Sequence, residues 1–120
     1  MTVLSEDRLQ FTFGPSCRAE KYDEWSFFRN QFQSMCGGAK AVDMVCISNN
    51  TSWLIEIKDY RRHKRTKPQA LGDEIAMKVR DTLAGLLAAK MNANDIAEKD
   101  FAKKAIQNKY HRRFHPPAPI

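Results

Sequence analysis

Apolar and polar residues alternate over residues 8–13 (RLQFTF), which predicts a strand with Leu9, Phe11 and Phe13 on one face. Gly14-Pro15-Ser16 ends it. Residues 18–22 suit either a second strand or the first turn of a helix. From about Asp23 to Met35 the period becomes helical, with Trp25, Phe28, Phe32 and Met35 along one stripe. Asp23 stands where a carboxylate can cap that helix, and Gly37-Gly38 closes it. Two short runs follow, 41–48 and 52–58, joined by Asn49-Asn50, a pair that tolerates positive φ; together they predict an antiparallel hairpin. A long helix is expected from about Gln69 to Met91, with Leu71, Ile75, Val79, Leu83, Leu86 and Leu87 as its stripe and Asp73, Lys78, Arg80 and Asp81 largely off it. A charged helix is expected after residues 92–94, up to about Asn108. Residues 109–120 are expected to form a loose, Pro-rich tail.

At 120 residues the chain matches one domain, expected over 1–108, and 42% hydrophobic residues suffice for a core. The longest apolar run, 83–89, contains Gly85 and falls short of the roughly 18–20 residues that a membrane crossing needs. The start, MTVLSEDRLQ, lacks the basic-then-apolar pattern of a secretory signal, and the three cysteines form no C-x-x-C pair. A cytoplasmic protein with no membrane partner is expected. The charge of +6 is uneven: residues 1–43 hold five basic and six acidic side chains, whereas 58–67 (KDYRRHKRTK) hold six basic against Asp59 alone. Such a segment attracts a polyanion, most commonly nucleic acid, although a solvated loop has the same composition.

The predicted hairpin carries the chemistry. On its second strand Glu56 and Lys58 share a face, and Trp53, Ile55 and Ile57 are expected to point the other way, into a core. Asp43 interrupts the apolar run of the first strand. Asp43 and Glu56 each lie six residues from the turn, so they come out roughly opposite one another. Two facing carboxylates repel unless a cation lies between them, and hard carboxylate oxygens suit Mg²⁺ or Mn²⁺.

Asp43 followed by Glu56-Ile57-Lys58 at the end of a hairpin, within VDMVCISNNTSWLIEIKDYR, resembles the PD-(D/E)xK nuclease superfamily. The order of helix, motif hairpin and long helix fits over about residues 18–92. The resemblance implies an α/β (α+β), restriction-endonuclease-like core, a small mixed sheet flanked by helices. It implies a Mg²⁺- or Mn²⁺-dependent endonuclease acting on DNA. Asp43, Glu56 and the backbone carbonyl of Ile57 would hold the metal, and Lys58 would position the attacking water and stabilise the transition state. An upstream acid often completes such sites; Glu20, Asp23 and Glu24 compete for that place. Val42 stands where the motif has its proline, and residues 93–120 offer no β run for the strand such cores add after the long helix, so an incomplete C-terminal edge is expected. Arg61, Arg62, Lys64, Arg65 and Lys67, directly after Lys58, would clamp nucleic-acid phosphates. A homodimer would supply the two sites that cutting both strands requires. The alternative is a nucleic-acid-binding or regulatory module that keeps the fold without turnover.

Overall fold

The structure, a computed structural model, describes residues 2–6, 9–58 and 70–115, with side chains as far as residue 110. The strands are β1 (Thr2–Glu6), β2 (Leu9–Phe13), β3 (Cys17–Glu20), β4 (Met44–Ser48), β5 (Thr51–Ile57) and β6 (Lys109–His115), and the helices are α1 (Leu71–Asn92) and α2 (Ile96–Gln107). β1 and β2 pair as a separate antiparallel hairpin. The main sheet runs β3-β4-β5-β6, antiparallel except for the last pair, in which β6 lies parallel to β5. It is a compact α+β fold. Among the described residues, no helix is long and apolar enough to cross a membrane.

The β4–β5 hairpin forms as expected. Asn49 and Asn50 both take positive φ (49° and 62°), the geometry that lets a two-residue turn follow the twist of its strands. The register pairs Ser48 with Thr51 and Met44 with Ile55, so Asp43, one step beyond β4, comes opposite Glu56.

Which face is inward differs from expectation. Ser52, Leu54 and Glu56 lie deepest, on the side covered by the helices, whereas Trp53 and Ile55 are half-buried on the other side. There, with Phe11, Phe13, Cys17 and Cys46, they line a cavity of about 340 Å³ beneath the β1–β2 hairpin. A sheet covered on both faces cannot be oriented from alternation alone.

The helix expected from Asp23 to Met35 is broken into a 3₁₀ turn (Tyr22–Glu24), a π-helical turn (Phe28–Phe32) and a second 3₁₀ turn (Met35–Gly37). In the π turn Gln33 N–H donates to the Phe28 carbonyl at 2.7 Å, and positions five apart align. Phe27 thus stacks on Phe32, with centroids 5.8 Å apart. Tyr22, Trp25, Phe27 and Phe28 are buried, while Met35 is exposed. Asp23 does not cap a helix; it lies inside the first 3₁₀ turn, which has no side-chain cap.

α1 packs a seam shifted from its leucine stripe. Glu74, Val79, Thr82, Gly85, Leu86 and Ala89 are buried, and Leu87 is exposed. Small residues let the helix approach Tyr22 closely: a Cβ on Gly85 would stand 1.9 Å from the Tyr22 hydroxyl. Asp95 caps α2 by accepting the Glu98 N–H. The Glu98 carboxylate in turn accepts the Ser26 and Phe27 N–H groups, which ties α2 to the aromatic segment. Phe101 then meets Trp25 edge-on.

The loose tail expected from residue 109 is corrected: residues 109–115 form β6, which completes the sheet after the helices. Its sequence, KYHRRFH, lacks apolar alternation. Backbone pairing with β5, from Thr51↔Lys109 to Ile57↔His115, holds it instead. Residues 116–120 lie outside the described residues.

Candidate active site

The end of β5, the start of β4, the first 3₁₀ turn and the first turns of α1 converge on one buried cluster. Asp43 Oδ2 accepts the Ile57 N–H at 2.7 Å, which fixes its carboxylate at the hairpin's open end. Glu56 is 2% exposed and Asp43 9%. Burial and the neighbouring Glu56 charge push the Asp43 carboxyl up to about 7, against the opposing pull of the Ile57 bond.

Asp23 joins them. Carboxylate oxygens of Glu6, Asp23 and Asp43 all lie within 4.8 Å of one another. Burial first, and then the Glu6 charge, pushes Asp23 up to about 6. Lys21 partly offsets this concentration of charge through its ion pairs with Glu6 (3.1 Å) and Glu24 (2.9 Å). Of the three competing upstream acids, Asp23 is the one gathered here. Glu20 accepts the Trp25 indole N–H at 2.8 Å, and Glu24 pairs with Lys21.

Among the described residues three buried carboxylate oxygens, Glu6 Oε2, Asp23 Oδ1 and Glu56 Oε1, have no hydrogen-bond partner, although Glu6 Oε2 lies 3.1 Å from the Lys21 ammonium. Leaving such atoms unpaired costs about 1–3 kcal/mol each. A donor set of hard oxygens with unfilled lone pairs fits a divalent cation such as Mg²⁺ or Mn²⁺.

Lys58 lies beside them, bonded to Glu74 Oε1 at 2.7 Å and 3.3 Å from Glu56 Oε2. Burial alone would depress its ammonium, but the Glu74 bond and the Glu56 and Glu74 charges outweigh that and hold it above the ordinary lysine range. Lys58 is therefore a cation and a hydrogen-bond donor at neutral pH. Lys78 Nζ donates to Glu56 Oε2 and stands 3.9 Å from Glu74 Oε1.

The structure thus brings together Asp43, Glu56, Ile57, Lys58 and Asp23. Arg61, Arg62, Lys64, Arg65 and Lys67 lie outside the described residues. The sequence pattern did not point to Glu6, Glu74 or Lys78. For the helix pair a signal existed: Glu-x-x-x-Lys repeats along α1 nearly the spacing that Glu-x-Lys has along β5. Glu6 has none, since the residues of β1, TVLSE, alternate only weakly.

No family model matches the chain, and no solved structure matches it. The chain is similar to part of a cysteine–tRNA ligase of Neisseria meningitidis serogroup A / serotype 4A (strain DSM 15465 / Z2491), 34% identical over 137 aligned positions. That alignment takes in 88% of this chain and 20% of the ligase, so the chain spans about a fifth of the length of that relative.

Proposed function

We propose that the chain is a metal-dependent nuclease of the PD-(D/E)xK kind that hydrolyses nucleic-acid phosphodiesters, DNA foremost. The observation that carries this reading is the gathering of mutually repelling carboxylates, Asp43, Glu56 and Asp23, in which Asp23 Oδ1 and Glu56 Oε1 are unpaired and Glu56 Oε2 lies 3.3 Å from the Lys58 ammonium. A stability role explains it poorly, because like charges out of water destabilise a fold. The element order supports the same reading: three antiparallel strands, a long helix and a shorter one, then a strand that returns parallel to the motif strand.

In this reading Asp43 and Glu56, with Asp23 and the Ile57 carbonyl, would hold Mg²⁺ or Mn²⁺. The bound metal would acidify a water and neutralise charge growing on the scissile phosphate. The chain's own groups do the rest. The Ile57 N–H keeps Asp43 oriented. Lys58 offers a positively charged hydrogen-bond donor to the attacking water or to a phosphate oxygen, where negative charge accumulates. The basic residues from Arg61 to Lys67 would track the phosphate backbone.

A second reading rests on the similarity to a cysteine–tRNA ligase. A segment shared with an enzyme that bears that name fits a module that binds RNA without cutting it. A fifth of a ligase is too little to bring the ligation activity with it.

The test is cleavage of supercoiled plasmid and of transfer RNA in Mg²⁺ or Mn²⁺. Nicking by the parent that disappears in EDTA and in Asp43→Ala supports the nuclease. Tight RNA binding by the folded parent, with no cleavage of either substrate, supports the second reading.

A further inference from the structure

The helix α1 contributes two charged residues that the nuclease reading does not use. Glu74 is 1% exposed, and with Lys78 it sits one turn apart on the face of α1 that meets β5. Along the strand Glu56 and Lys58 are two residues apart, about 6.6 Å. Along the helix Glu74 and Lys78 are four apart, about 6 Å. The two pairs match in length and face one another in opposite order. Lys58 meets Glu74 (2.7 Å), and Lys78 meets Glu56. The result is a four-cornered ring of alternating charge, closed by the 3.3 Å Lys58–Glu56 and 3.9 Å Lys78–Glu74 contacts.

We propose that Glu74 and Lys78 are a positioning pair: Glu74 holds the Lys58 ammonium at the reaction centre, and Lys78 anchors one oxygen of Glu56 so that the other stays open to the cation. The geometry bears on each half. Lys58 lies closer to Glu74 than to Glu56, so Glu74 draws it away from collapsing onto the carboxylate beside it on the strand. Lys78 occupies Glu56 Oε2, and Glu56 Oε1 is the oxygen left unpaired. Without Lys78, Glu56 Oε2 would keep only the longer 3.3 Å contact to Lys58, and the carboxylate would be free to turn either oxygen toward that ammonium or toward a metal. As the charge nearest Glu56, Lys78 also weakens that carboxylate's hold on a divalent ion, which favours a metal exchangeable with substrate over one locked in place.

This inference rests on the nuclease reading. It is tested by single-turnover cleavage, by half-saturating DNA concentration and by Mn²⁺ titration of the full chain, on Glu74→Gln, Glu74→Leu and Lys78→Met. Glu74→Leu is expected to cut the single-turnover rate about a hundredfold with DNA half-saturation unchanged, the scale of a catalytic group displaced by an ångström. Glu74→Gln, which keeps an acceptor of the same shape, should lose less, about tenfold. Lys78→Met should slow turnover while binding Mn²⁺ about tenfold more tightly, since a neighbouring positive charge is gone. A mere structural brace would lower the melting temperature and leave both the rate of the folded protein and its Mn²⁺ affinity at parental values. If Glu74→Leu does not fold, Glu74→Gln decides. An active parent with parental rates in Glu74→Gln and unchanged Mn²⁺ affinity in Lys78→Met overturns the inference alone. A parent that cleaves nothing overturns the nuclease reading, and the inference with it.

Discussion

Lys58→Ala is expected to lower DNA cleavage by about two to three orders of magnitude, the usual consequence of losing one donor aimed at a developing oxyanion. Affinity for DNA should change little, because in the proposed complex most of it would come from phosphate contacts elsewhere. Lys58 also pairs with two buried carboxylates, Glu56 and Glu74, so its removal strips buried charge of a partner. A loss of about 3 kcal/mol in folding stability is therefore expected as well. Lys58→Arg separates the two effects. A guanidinium keeps the positive charge and the ion pairs, but its planar fork cannot take the place of a compact ammonium. Lys58→Arg should therefore melt near the parent and cleave as poorly as the alanine variant. Plasmid nicking, filter binding and thermal melting on the three proteins check this. Parental cleavage by either folded variant would remove Lys58 from the mechanism.

Asp43→Asn should make the metal-free protein more stable at pH 8. The ordinary carboxyl value of 3.8 applies in the unfolded chain, and burial with the Glu56 charge raises it to about 7 in the native one. The native state then holds the proton more tightly than the unfolded state does. Its contribution is complete below about pH 4 and is lost as pH rises through 7. Asp23, pushed up to about 6 by burial and Glu6, works in the same direction over a slightly lower window. In EDTA the parent should thus lose stability between pH 5.5 and pH 8, and Asp43→Asn should lose less. At pH 8 the variant should exceed the parent by on the order of 2–4 kcal/mol, since every tenfold difference in proton affinity between the two states is worth about 1.4 kcal/mol. An asparagine oxygen can still accept the Ile57 N–H, so the local geometry survives. Urea denaturation at the two pH values measures it. An Asp43→Asn protein less stable than the parent at pH 8 would mean that the carboxylate is structural.

The geometry of the candidate site was legible where chemistry and register coincide. Asn49-Asn50 fixed the turn, the turn fixed the pairing, and the pairing set Asp43 against Glu56. Asp23 was one of three candidates; a 3₁₀ turn in place of a regular helix turns its carboxylate toward Asp43 instead of onto a helix end. The inward face of β5 was not legible, because Trp53 and Ile55 are covered by a hairpin whose first strand, TVLSE, has only weak alternation. β6 escaped because its pairing partner lies over fifty residues away and its residues are mostly basic. Glu74 and Lys78 escaped because a charged pair on an amphipathic helix usually faces water, and burial of such a pair depends on what packs against it.

The central claim is that these carboxylates form a cation site, and calorimetric titration of Mn²⁺ into the full chain tests it most directly, on the parent and on an Asp43→Asn, Glu56→Gln double variant. The expected result is saturable binding by the parent that the double variant lacks while remaining folded. Equal binding by both proteins, or none by the folded parent, would contradict it.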